Sequence, residues 1–387
     1  MKIIYVANIR WPTEKAHGQQ IAKTCEAFRS LGKDVELIVP SRRNPELKKI
    51  SPFAYYGIRE SFRIKKIWSF DPWWLLRFPA GIYIKVQSFC FIASLFFYLS
   101  FRKHEGGEIF YTRDEVLLLV LDFFSDRVVW ESHALPKNRR YYQKYFSRCH
   151  RIVVLTQTLK QDLVQSGIPA NKILVSPDAV DLEVFDISLS KEQARQELML
   201  PVDSTILGYT GTFRTKNMEK GLPEILKALK ILLLDYPQIL FVAVGGSENE
   251  LKDYSALIQN EGRGDRVKLL SRISQADLAK YQKAFDLLLM PFPFNQHFAY
   301  YMSPLKMFEY MAAQRPIIAT KLPSIGDVLN EHNAVLVEPG SPESLAKGIR
   351  MVLSNPDFGK KIAAQAHRDA QKYTWQNRAK NIIAFLS

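Results

Sequence analysis

Short apolar runs rich in β-branched residues alternate with amphipathic segments along this chain, and this alternation constrains its fold more than any other feature. At the start, the run Lys2–Asn8 predicts a buried parallel strand. A loop containing Gly18 follows, then apolar residues at helical spacing over Gln19–Leu31, and then a second apolar run at Val35–Val39. Strand, loop, helix and strand form a βαβ unit. Such a unit opens a doubly wound sheet, whose ligands bind beyond the carboxyl ends of the strands.

The alternation runs through the chain in two consecutive series. The further strands predicted in the first series are Glu108–Thr112, Arg127–Glu131, Arg151–Thr156 and Lys172–Ser176. Those predicted in the second series are Thr205–Thr210, Ile239–Val244, Val267–Leu270, Asp286–Met290, Pro316–Ala319 and Ala334–Val337. A polar segment with a predicted helix, Ile187–Leu200, joins the two series. We therefore predict an α/β protein with two Rossmann-like domains that face each other, residues 1–190 and residues 201–374.

Composition limits the class of protein and the kind of partner. The 387 residues are 47% hydrophobic and 24% charged, which excludes collagen-like and disordered classes and allows two cores to form without cross-links. The three cysteines are widely spaced, which argues against a disulfide scaffold and favours a reducing cytoplasm. The first residues turn polar too soon for a signal peptide. The net charge of +14 is concentrated in the first half, so we expect an anionic partner: a phosphate-bearing substrate, a membrane surface or nucleic acid.

Two adjacent segments of the first half raise the question of a membrane. Val86–Phe101 is uncharged over 16 residues, whereas a spanning helix needs roughly 20. We expect it to form a buried helix of a large domain, with insertion into a membrane surface as the alternative. The preceding segment, 42–74, interleaves cations with aromatic side chains, which suits anionic lipid headgroups. The same aromatics could pack inside a loop-rich domain, and nucleic acid could use the same surface, although no binding motif accompanies it.

The members of this cation–aromatic segment are spread along its whole length. They are Arg42, Arg43, Lys48, Lys49, Arg59, Arg63, Lys65, Lys66, Phe53, Tyr55, Tyr56, Phe62, Trp68, Phe70, Trp73 and Trp74.

Two loops carry groups that commonly bind phosphate. Gly18, before the first predicted helix, would let backbone N–H groups approach an anion, although a turn alone would also require glycine. Arg214, Lys216 and Lys220 lie on the glycine-bounded loop that opens the second series. They could neutralise a diphosphate, with Lys220 beside Gly221 the more specific member, or they could be solvated loop cations.

The segment Ser303–Ala312 carries the strongest local signal. Ser303 is a good N-cap and Pro304 suits the first helical position, so we predict a helix start whose free N–H groups bind an anion. Glu309 follows almost two turns later, where its carboxylate could accept hydrogen bonds from vicinal hydroxyls such as those of a ribose. Alternatively, Lys306 pairs with a neighbouring carboxylate and Glu309 is an ordinary surface residue.

Taken together, these segments resemble the family 4 glycosyltransferases of the GT-B fold. The resemblance covers nearly the whole chain through KIIYVAN, HGQQIAKTCEAF, GKDVELIVP, IFYTRDE, VVWESHALP, IVVLTQTLK, PDAVDLEVF, GYTGTF, KGL, SPLKMFEYMAAQRPIIAT, AVLVEPGSPESLAKGI and YTWQNRAK. It implies two Rossmann domains, with a nucleotide-sugar held mainly by the second. It also implies that the last helix, about Trp375–Phe385, returns residues 375–387 to the first domain.

The resemblance assigns donor-binding roles to individual residues. Lys220 would meet the donor's diphosphate, and Glu309 matches the second glutamate of the family's EX7E pattern and would bind the ribose. Gly18 would approach the phosphate from the first domain. The segment Ser303, Pro304, Leu305 and Lys306 would meet the diphosphate, which would accept hydrogen bonds from its backbone N–H groups; Pro304 itself has none.

The resemblance also assigns a catalytic residue, and the chain departs from the family at two positions. His133, just past a predicted strand, matches the family histidine near the donor sugar and the acceptor; a capping or core histidine is the alternative. The first glutamate of EX7E falls at Tyr301, and the arginine that usually follows the strand-end glycine falls at Thr212, where Arg214 could substitute. These departures leave the sugar unidentified and keep a non-catalytic relative open.

The activity implied is transfer of a hexosyl group with retention of configuration, without metal or cofactor. The expected partners are a nucleotide-sugar donor, a lipid-linked or cell-envelope glycan acceptor and an anionic membrane surface, with no nucleic acid. The expected location is the cytoplasm, peripheral on the inner membrane leaflet. The alternatives are a non-catalytic GT-B binding subunit and a nucleotide-sugar epimerase.

Overall fold

A computed structural model describes residues 1–42, 44–78, 81–215, 218–260, 262 and 264–387. Arg43 and Lys216, which the sequence analysis considered, lie outside the described residues. The chain divides into two compact units, the first comprising Met1–Pro177 with Trp375–Ser387 and the second Asp178–Thr374.

The first unit is built on a seven-stranded parallel sheet. Its strands are β1 (Lys2–Val6), β2 (Asp34–Pro40), β3 (Arg63–Ile67), β4 (Ile109–Thr112), β5 (Val128–Ser132), β6 (Arg151–Val154) and β7 (Ile173–Val175). Their order in space is β3-β2-β1-β4-β5-β6-β7, and Tyr5 of β1 lies opposite Leu37 on one side and Tyr111 on the other. After β1 the chain passes to β2 and β3 on one side of β1, and it then crosses to form β4 on the other side. The loops that follow β1 and β4 therefore diverge. The helices are α1 (Ala16–Ser30), α2 (Pro52–Tyr56), α3 (Ile82–Phe101), α4 (Leu118–Phe124), α5 (Arg139–Arg148) and α6 (Gln157–Gln165).

The second unit has a six-stranded parallel sheet and a small hairpin. The strands are β8 (Thr205–Thr210), β9 (Arg214–Thr215), β10 (Met218–Glu219), β11 (Ile239–Gly246), β12 (Val267–Ser271), β13 (Leu287–Met290), β14 (Ile317–Thr320) and β15 (Val335–Val337). The sheet order is β12-β11-β8-β13-β14-β15, and β9 pairs with β10. The helices are α7 (Leu182–Phe185), α8 (Lys191–Glu197), α9 (Leu222–Leu232), α10 (Glu248–Asn260), α11 (Gln275–Ala284), α12 (Leu305–Ala312), α13 (Pro323–Gly326), α14 (Pro342–Ser354) and α15 (Pro356–Ala370).

The boundary between the units lies earlier in the chain than the limits of 190 and 201 expected from sequence. The Val180 N–H donates to the Tyr373 carbonyl over 2.8 Å. Phe185 and Ala194, from α7 and α8, are buried in the core of the second unit. The joining segment therefore folds with the second unit. At the other end, the last helix, α16 (Trp375–Leu386), packs against α1 in the first unit.

The uncharged run 86–101 lies within α3, and the structure corrects the expectation that this helix is buried. A single stripe at four-residue spacing is buried and consists of Tyr83, Gln87, Phe91, Leu95 and Leu99. The opposite side carries phenylalanines rather than polar residues, so hydrophobicity alone did not indicate burial. By length and composition α3 is long and apolar enough to cross a membrane, and 28% of its most apolar stretch is buried.

Candidate active site

The first cluster of candidate residues lies in the second unit, at the carboxyl end of β8. Strands β11 and β12 lie on one side of β8, and β13 to β15 lie on the other. The loops that follow β8 and β13 therefore diverge and leave a crevice, the usual place for a ligand in such a sheet. Gly211 follows β8 with φ +108°, and a Cβ atom there would lie 3.3 Å from Lys306 Nζ. A glycine at this position leaves room for that ammonium group.

Lys306 is a buried lysine in the first turn of α12. Its Nζ lies 3.6 Å from the centre of the Tyr209 ring and has no hydrogen-bond partner among the described residues. Burial and the nearby charge of Lys220 lower the pKa of Lys306 well below 10.5, and Glu309 offsets this only in part. The ring face stabilises the cation. An ammonium group without a hydrogen-bond acceptor nevertheless remains unfavourable in such a site, so it would gain from an anion.

Lys220 adds a second cation at the same crevice. Its Nζ donates to Thr212 Oγ1 over 2.7 Å, and burial lowers the pKa of Lys220 to about 8. Gly221 follows with φ +97°, and a Cβ atom there would lie 1.9 Å from the carbonyl oxygen of Pro291. Because α9 begins at the next residue, Lys220 lies at a helix N-terminus. Lys220 and Lys306 thus give this crevice a positive potential.

Glu309 lies three residues after Lys306, on the same side of α12. Burial raises the pKa of Glu309 to about 7, against the opposing effects of Lys306 and Gln282. The Gln282 amide donates to Glu309 over 3.5 Å and to Thr210 Oγ1 over 3.1 Å. Glu309 is therefore not a solvated surface carboxylate, and it can accept hydrogen bonds from hydroxyl groups when ionised.

The start of α12 differs from the prediction. The helix begins at Leu305 with Pro304 as its N-cap residue, and no side chain caps it. The Ser303 hydroxyl instead accepts a hydrogen bond from the Asp178 N–H over 2.9 Å. The predicted serine cap is therefore wrong, because the backbone N–H of Asp178, which begins the second unit, donates to that oxygen. Tyr301, at the position of the missing family glutamate, ends a short π-helical turn just before Ser303.

Arg214 is held by two carboxylates. Its guanidinium group donates to Glu219 over 2.6 Å and to Asp253 over 2.8 Å, and it lies over the Tyr254 ring. Hydrogen bonds to both acids raise the pKa of Arg214. The structure thus brings Lys220, Lys306 and Glu309 together and keeps the Arg214 charge in an ion-pair network on the β9–β10 hairpin.

The second cluster lies in the first unit, at the carboxyl end of β5, around the buried carboxylate of Glu131. One oxygen of Glu131 lies 2.8 Å from His133 Nε2, 3.1 Å from the Gln20 amide nitrogen and 3.0 Å from the Arg378 guanidinium. Tyr111 donates its hydroxyl to the other oxygen. Burial alone would raise the pKa of Glu131, but Arg378 and the hydrogen bonds lower it well below its usual value. Glu131 is therefore ionised and fully partnered.

This arrangement fixes the protonation of His133. An ionised carboxylate only accepts hydrogen bonds, so the contact with Glu131 assigns the proton to Nε2 and leaves Nδ1 as an acceptor. Burial and the charge of Arg113 lower the pKa of His133 to about 4, although Glu131 opposes them. Burial likewise lowers the pKa of His17, in the first turn of α1, to about 3. Both imidazoles are neutral at pH 7, and the His133 side chain is 20% exposed.

Gly18 has a packing role in the structure, and its approach to phosphate stays a prediction. Helix α1 begins at Ala16, so Gly18 lies inside its first turn, and its N–H donates to the Lys15 carbonyl over 2.9 Å. A Cβ atom at Gly18 would lie 2.2 Å from the Tyr56 hydroxyl. Glycine is required here because the Tyr56 side chain fills that space.

Sequence reasoning missed several polar partners of the candidate residues. They are Gln20, Arg113, Glu131, Arg378, Tyr209 and Gln282. Glu131 carried a signal, since it is a carboxylate at a predicted strand end two residues before His133. Within the part of the chain that the structure describes, no group of three or more His, Cys, Asp and Glu side chains is placed to hold a metal ion.

Family models match most of the chain. Residues 190–369 match the model described as glycosyl transferases group 1, and residues 18–184 match the model described as glycosyltransferase family 4. The chain belongs to glycosyltransferase family 4. The family resemblance and the two-domain α/β fold predicted from sequence are both confirmed.

Individual glycosyltransferases share parts or all of this architecture. The D-inositol 3-phosphate glycosyltransferase of Corynebacterium urealyticum is 24% identical over 262 residues, which are 65% of this chain and 60% of that protein. The chain thus spans less than two thirds of that relative's length. The crystal structure of HepE from Anabaena in complex with UDP has a TM-score of 0.72 and 17% identity, over 100% of this chain and 99% of that one. WaaG, a glycosyltransferase involved in lipopolysaccharide biosynthesis, has a TM-score of 0.69 and 13% identity over the same shares.

Proposed function

We propose that this glycosyltransferase binds a nucleotide-sugar in the crevice of its second unit and transfers the hexosyl group to an acceptor hydroxyl with retention of configuration. The bond between the anomeric carbon and the diphosphate oxygen breaks, and its electron pair remains on the diphosphate. The acceptor oxygen bonds to the same face of the anomeric carbon, and its proton passes to the departing diphosphate. Atoms and charge balance without a metal or a cofactor.

The observation that carries this proposal is the buried Nζ of Lys306, which lies beside Gly211 after β8 and has no hydrogen-bond partner among the described residues. Together with Lys220 and the N-terminus of α12, it supplies fixed positive charge where a diphosphate would develop negative charge during transfer. Glu309, on the same helix, would accept hydrogen bonds from the ribose hydroxyls. That the solved structure of the related HepE holds UDP supports a nucleotide as the ligand.

The acceptor side of the proposal concerns the first unit. His133 carries a neutral imidazole with Nδ1 as its acceptor atom, and we propose that it orients the acceptor hydroxyl or the transferred sugar. We propose Glu131 as the residue that positions it. The acceptor proposed is a lipid-linked or cell-envelope glycan, in keeping with the cationic surface of this unit and with the lipopolysaccharide role of WaaG. This proposal places the protein in the cytoplasm at the inner membrane leaflet, in polysaccharide biosynthesis.

The first test is nucleotide binding, measured as the shift in melting temperature. UDP, GDP and ADP and their sugars are compared on the wild type, on Lys220→Ala and on Lys227→Ala, which removes an exposed lysine from the following helix. We expect one nucleotide series to raise the melting temperature of the wild type and of Lys227→Ala. The Lys220→Ala affinity should fall by about tenfold or more, as for loss of a charge-assisted hydrogen bond.

Two results would contradict the proposal. If no nucleotide raises the melting temperature, the crevice does not bind a donor. If a nucleotide binds equally well to Lys220→Ala, it binds elsewhere. Turnover of a nucleotide-sugar to an isomer without any acceptor would instead identify an epimerase, and binding without turnover on any acceptor would identify a binding subunit.

A further inference from the structure

The exposed large hydrophobic side chains of this protein are concentrated in one segment of the first unit. Between residues 68 and 101 they are Trp68, Phe70, Trp73, Trp74, Leu76, Phe78, Ile82, Ile84, Phe89, Phe96, Phe97 and Phe101. We call these side chains the aromatic face. Phe89 is 69% exposed, Trp68 is 73% exposed and Phe101 is 88% exposed. Apolar exposure on this scale marks an interaction surface rather than scattered surface residues.

Helix α3 forms the long part of the aromatic face. Ile82, Phe89 and Phe96 recur every seven residues and therefore share one side of the helix, opposite the buried stripe. At 1.5 Å per residue, the 20-residue helix is about 30 Å long. The short 3₁₀ segment Trp73–Arg77 packs beside it, and the Phe96 ring lies 5.6 Å from that of Phe123, which is also exposed. The face is thus continuous across neighbouring elements.

Polar contacts on the buried side hold α3 parallel to the surface of the unit. The Gln87 amide donates to Asn8 over 2.9 Å, and the Tyr83 hydroxyl donates to Asp71 over 2.7 Å. A membrane-spanning orientation would break these contacts and leave the polar groups in hydrocarbon, at a cost of several kcal/mol each. An orientation in the plane of an interface keeps them and buries only the outer side.

The charges and the tryptophans around this face indicate which partner covers it. Residues 61–103 contain seven Lys and Arg and one acid, Asp71, which accepts a hydrogen bond from the Tyr83 hydroxyl. Two of the cations, Arg63 and Arg102, pair with acids outside this range, Asp34 and Glu108. Arg77, Lys85 and Lys103 are exposed at its edges. The three exposed tryptophans of the chain's six, Trp68, Trp73 and Trp74, all lie here. Tryptophans and cations beside a phenylalanine-rich surface are typical of the interface of an anionic bilayer. A symmetric pairing of two copies would bring this cationic surface against itself.

We infer that the aromatic face is a membrane-docking surface, with α3 lying in the interface of an anionic lipid bilayer. The phenylalanines enter the boundary between headgroups and acyl chains, and the cations contact lipid phosphates. The inference corrects the surface expected from sequence, since Tyr56 and Phe62 of that segment are buried. It deepens the proposed function by naming the surface that meets the membrane, and it rests on that function only for the nature of the acceptor.

Vesicle sedimentation of the full chain tests this inference without donor or acceptor. Vesicles of phosphatidylcholine alone are compared with vesicles that also contain phosphatidylglycerol. The variant Phe89→Ser/Phe97→Ser alters the face, and Leu234→Ser/Met351→Ser makes the matched change at exposed residues of the second unit. We expect the wild type to prefer the anionic vesicles. The face variant should lose at least about tenfold in partition coefficient, and the control variant should change by less than about twofold.

Two variants that remove cations distinguish binding to lipid phosphates from adsorption through apolar side chains. Arg77→Gln/Lys85→Gln/Lys103→Gln should reduce binding to anionic vesicles by about a hundredfold, since each of the three cations contributes about 1 kcal/mol. Lys227→Gln/Lys230→Gln/Lys252→Gln, three exposed lysines of the second unit, should leave it unchanged. Lipids brominated near the headgroup should quench the wild-type tryptophan fluorescence more than lipids brominated near the chain ends.

Several outcomes would overturn the inference. These are no binding to anionic vesicles, equal binding of the wild type and the face variant, or a lipid-free dimer that the face variant alone fails to form. The melting temperatures of the same variants are also measured with the nucleotide that the binding test identifies. Vesicle binding without nucleotide binding would support this docking surface and contradict the proposed function. Nucleotide binding without vesicle binding would contradict the docking surface alone.

Discussion

At the scale of single residues, the two clusters differ in whether the buried ionisable group has hydrogen-bond partners. Glu131 is surrounded by a cation, an imidazole, an amide and a hydroxyl, so its charge is fully compensated within the first unit. Lys306 Nζ, in contrast, has no hydrogen-bond partner among the described residues and lies over the Tyr209 ring. The charge of Lys220 is nearby, and Glu309 offsets it only in part. A folded chain gains nothing from an uncompensated ammonium group. Its presence at a strand end is therefore better explained by a ligand than by stability.

The stability of a Lys306→Met variant tests this explanation. Methionine fills a similar volume without charge, so we expect the free energy of unfolding at pH 7 to rise by about 1–3 kcal/mol while nucleotide binding is lost. The pKa of Lys306 is lower in the folded chain than in the unfolded chain, where it is about 10.5. At pH values between these two pKa values, the unfolded chain therefore binds more protons than the folded chain. The stability of the wild type should therefore rise with pH, and the advantage of the variant should shrink as pH approaches 10.5.

Urea unfolding at pH 7 and at higher pH measures this difference. Lys227→Met, on the exposed side of α9, is the control and should change the free energy by less than about 0.5 kcal/mol. A loss of stability in Lys306→Met at pH 7 would mean that the ammonium group is already compensated in the folded chain.

Sequence reasoning at this scale could select candidate residues, because strand ends and helix starts are local patterns. It placed Lys220, Lys306, Glu309 and His133 at such positions, and the structure brings the first three together. It could not show that Arg214 would be paired, since Asp253 is 39 residues away in sequence. Nor could it foresee that Tyr56 would fill the space beside Gly18.

At the scale of elements, α16 is joined to the sheet of the first unit through Arg378. This side chain reaches Glu131 at the end of β5 and donates to the Pro177 carbonyl over 2.9 Å. Around it, Trp375, Ala379 and Ile382 are buried. The last helix is therefore attached by a buried ion pair as well as by apolar packing.

A double-mutant cycle on this pair measures that attachment. Arg378→Met leaves the carboxylate of Glu131 buried without its cation and should lower the free energy of unfolding by about 3–5 kcal/mol. Adding Glu131→Gln removes the uncompensated charge, so we expect the double variant to be more stable than Arg378→Met. Arg148→Met, which breaks the exposed pair with Asp122, should leave the unfolding midpoint unchanged. Additive losses across the cycle would show that the pair does not couple α16 to β5.

The elements that sequence reasoning missed share a physical cause. Strand β3 has the sequence Arg-Ile-Lys-Lys-Ile and pairs only with β2 at the sheet edge, where cations are tolerated and hide the apolar alternation. Helix α5 is mostly polar and aromatic, with Phe146 its buried residue. The inner strands, in contrast, are buried on both faces and produce apolar runs, so their positions were predicted to within about two residues.

At the scale of the whole molecule, the chain contains two cores that can be observed separately. All six tryptophans lie in residues 1–177 and 375–387, so tryptophan fluorescence follows the first unit alone. The predicted donor residues all lie in the second unit, apart from Gly18. A nucleotide that binds only the folded second unit stabilises it by about 2.7 kcal/mol at a hundred times its dissociation constant.

We therefore expect calorimetry to resolve two unfolding transitions that respond to different changes. The nucleotide should raise the transition that tryptophan fluorescence does not report, and Arg378→Met should lower the one that it does report. When the nucleotide is added to Arg378→Met, both transitions should shift by the same amounts as in the separate experiments, since the two effects act on separate cores. If the nucleotide raises the fluorescence transition as well, the two units unfold cooperatively. In that case the stability gained in the donor crevice reaches the unit that holds His133 and the aromatic face.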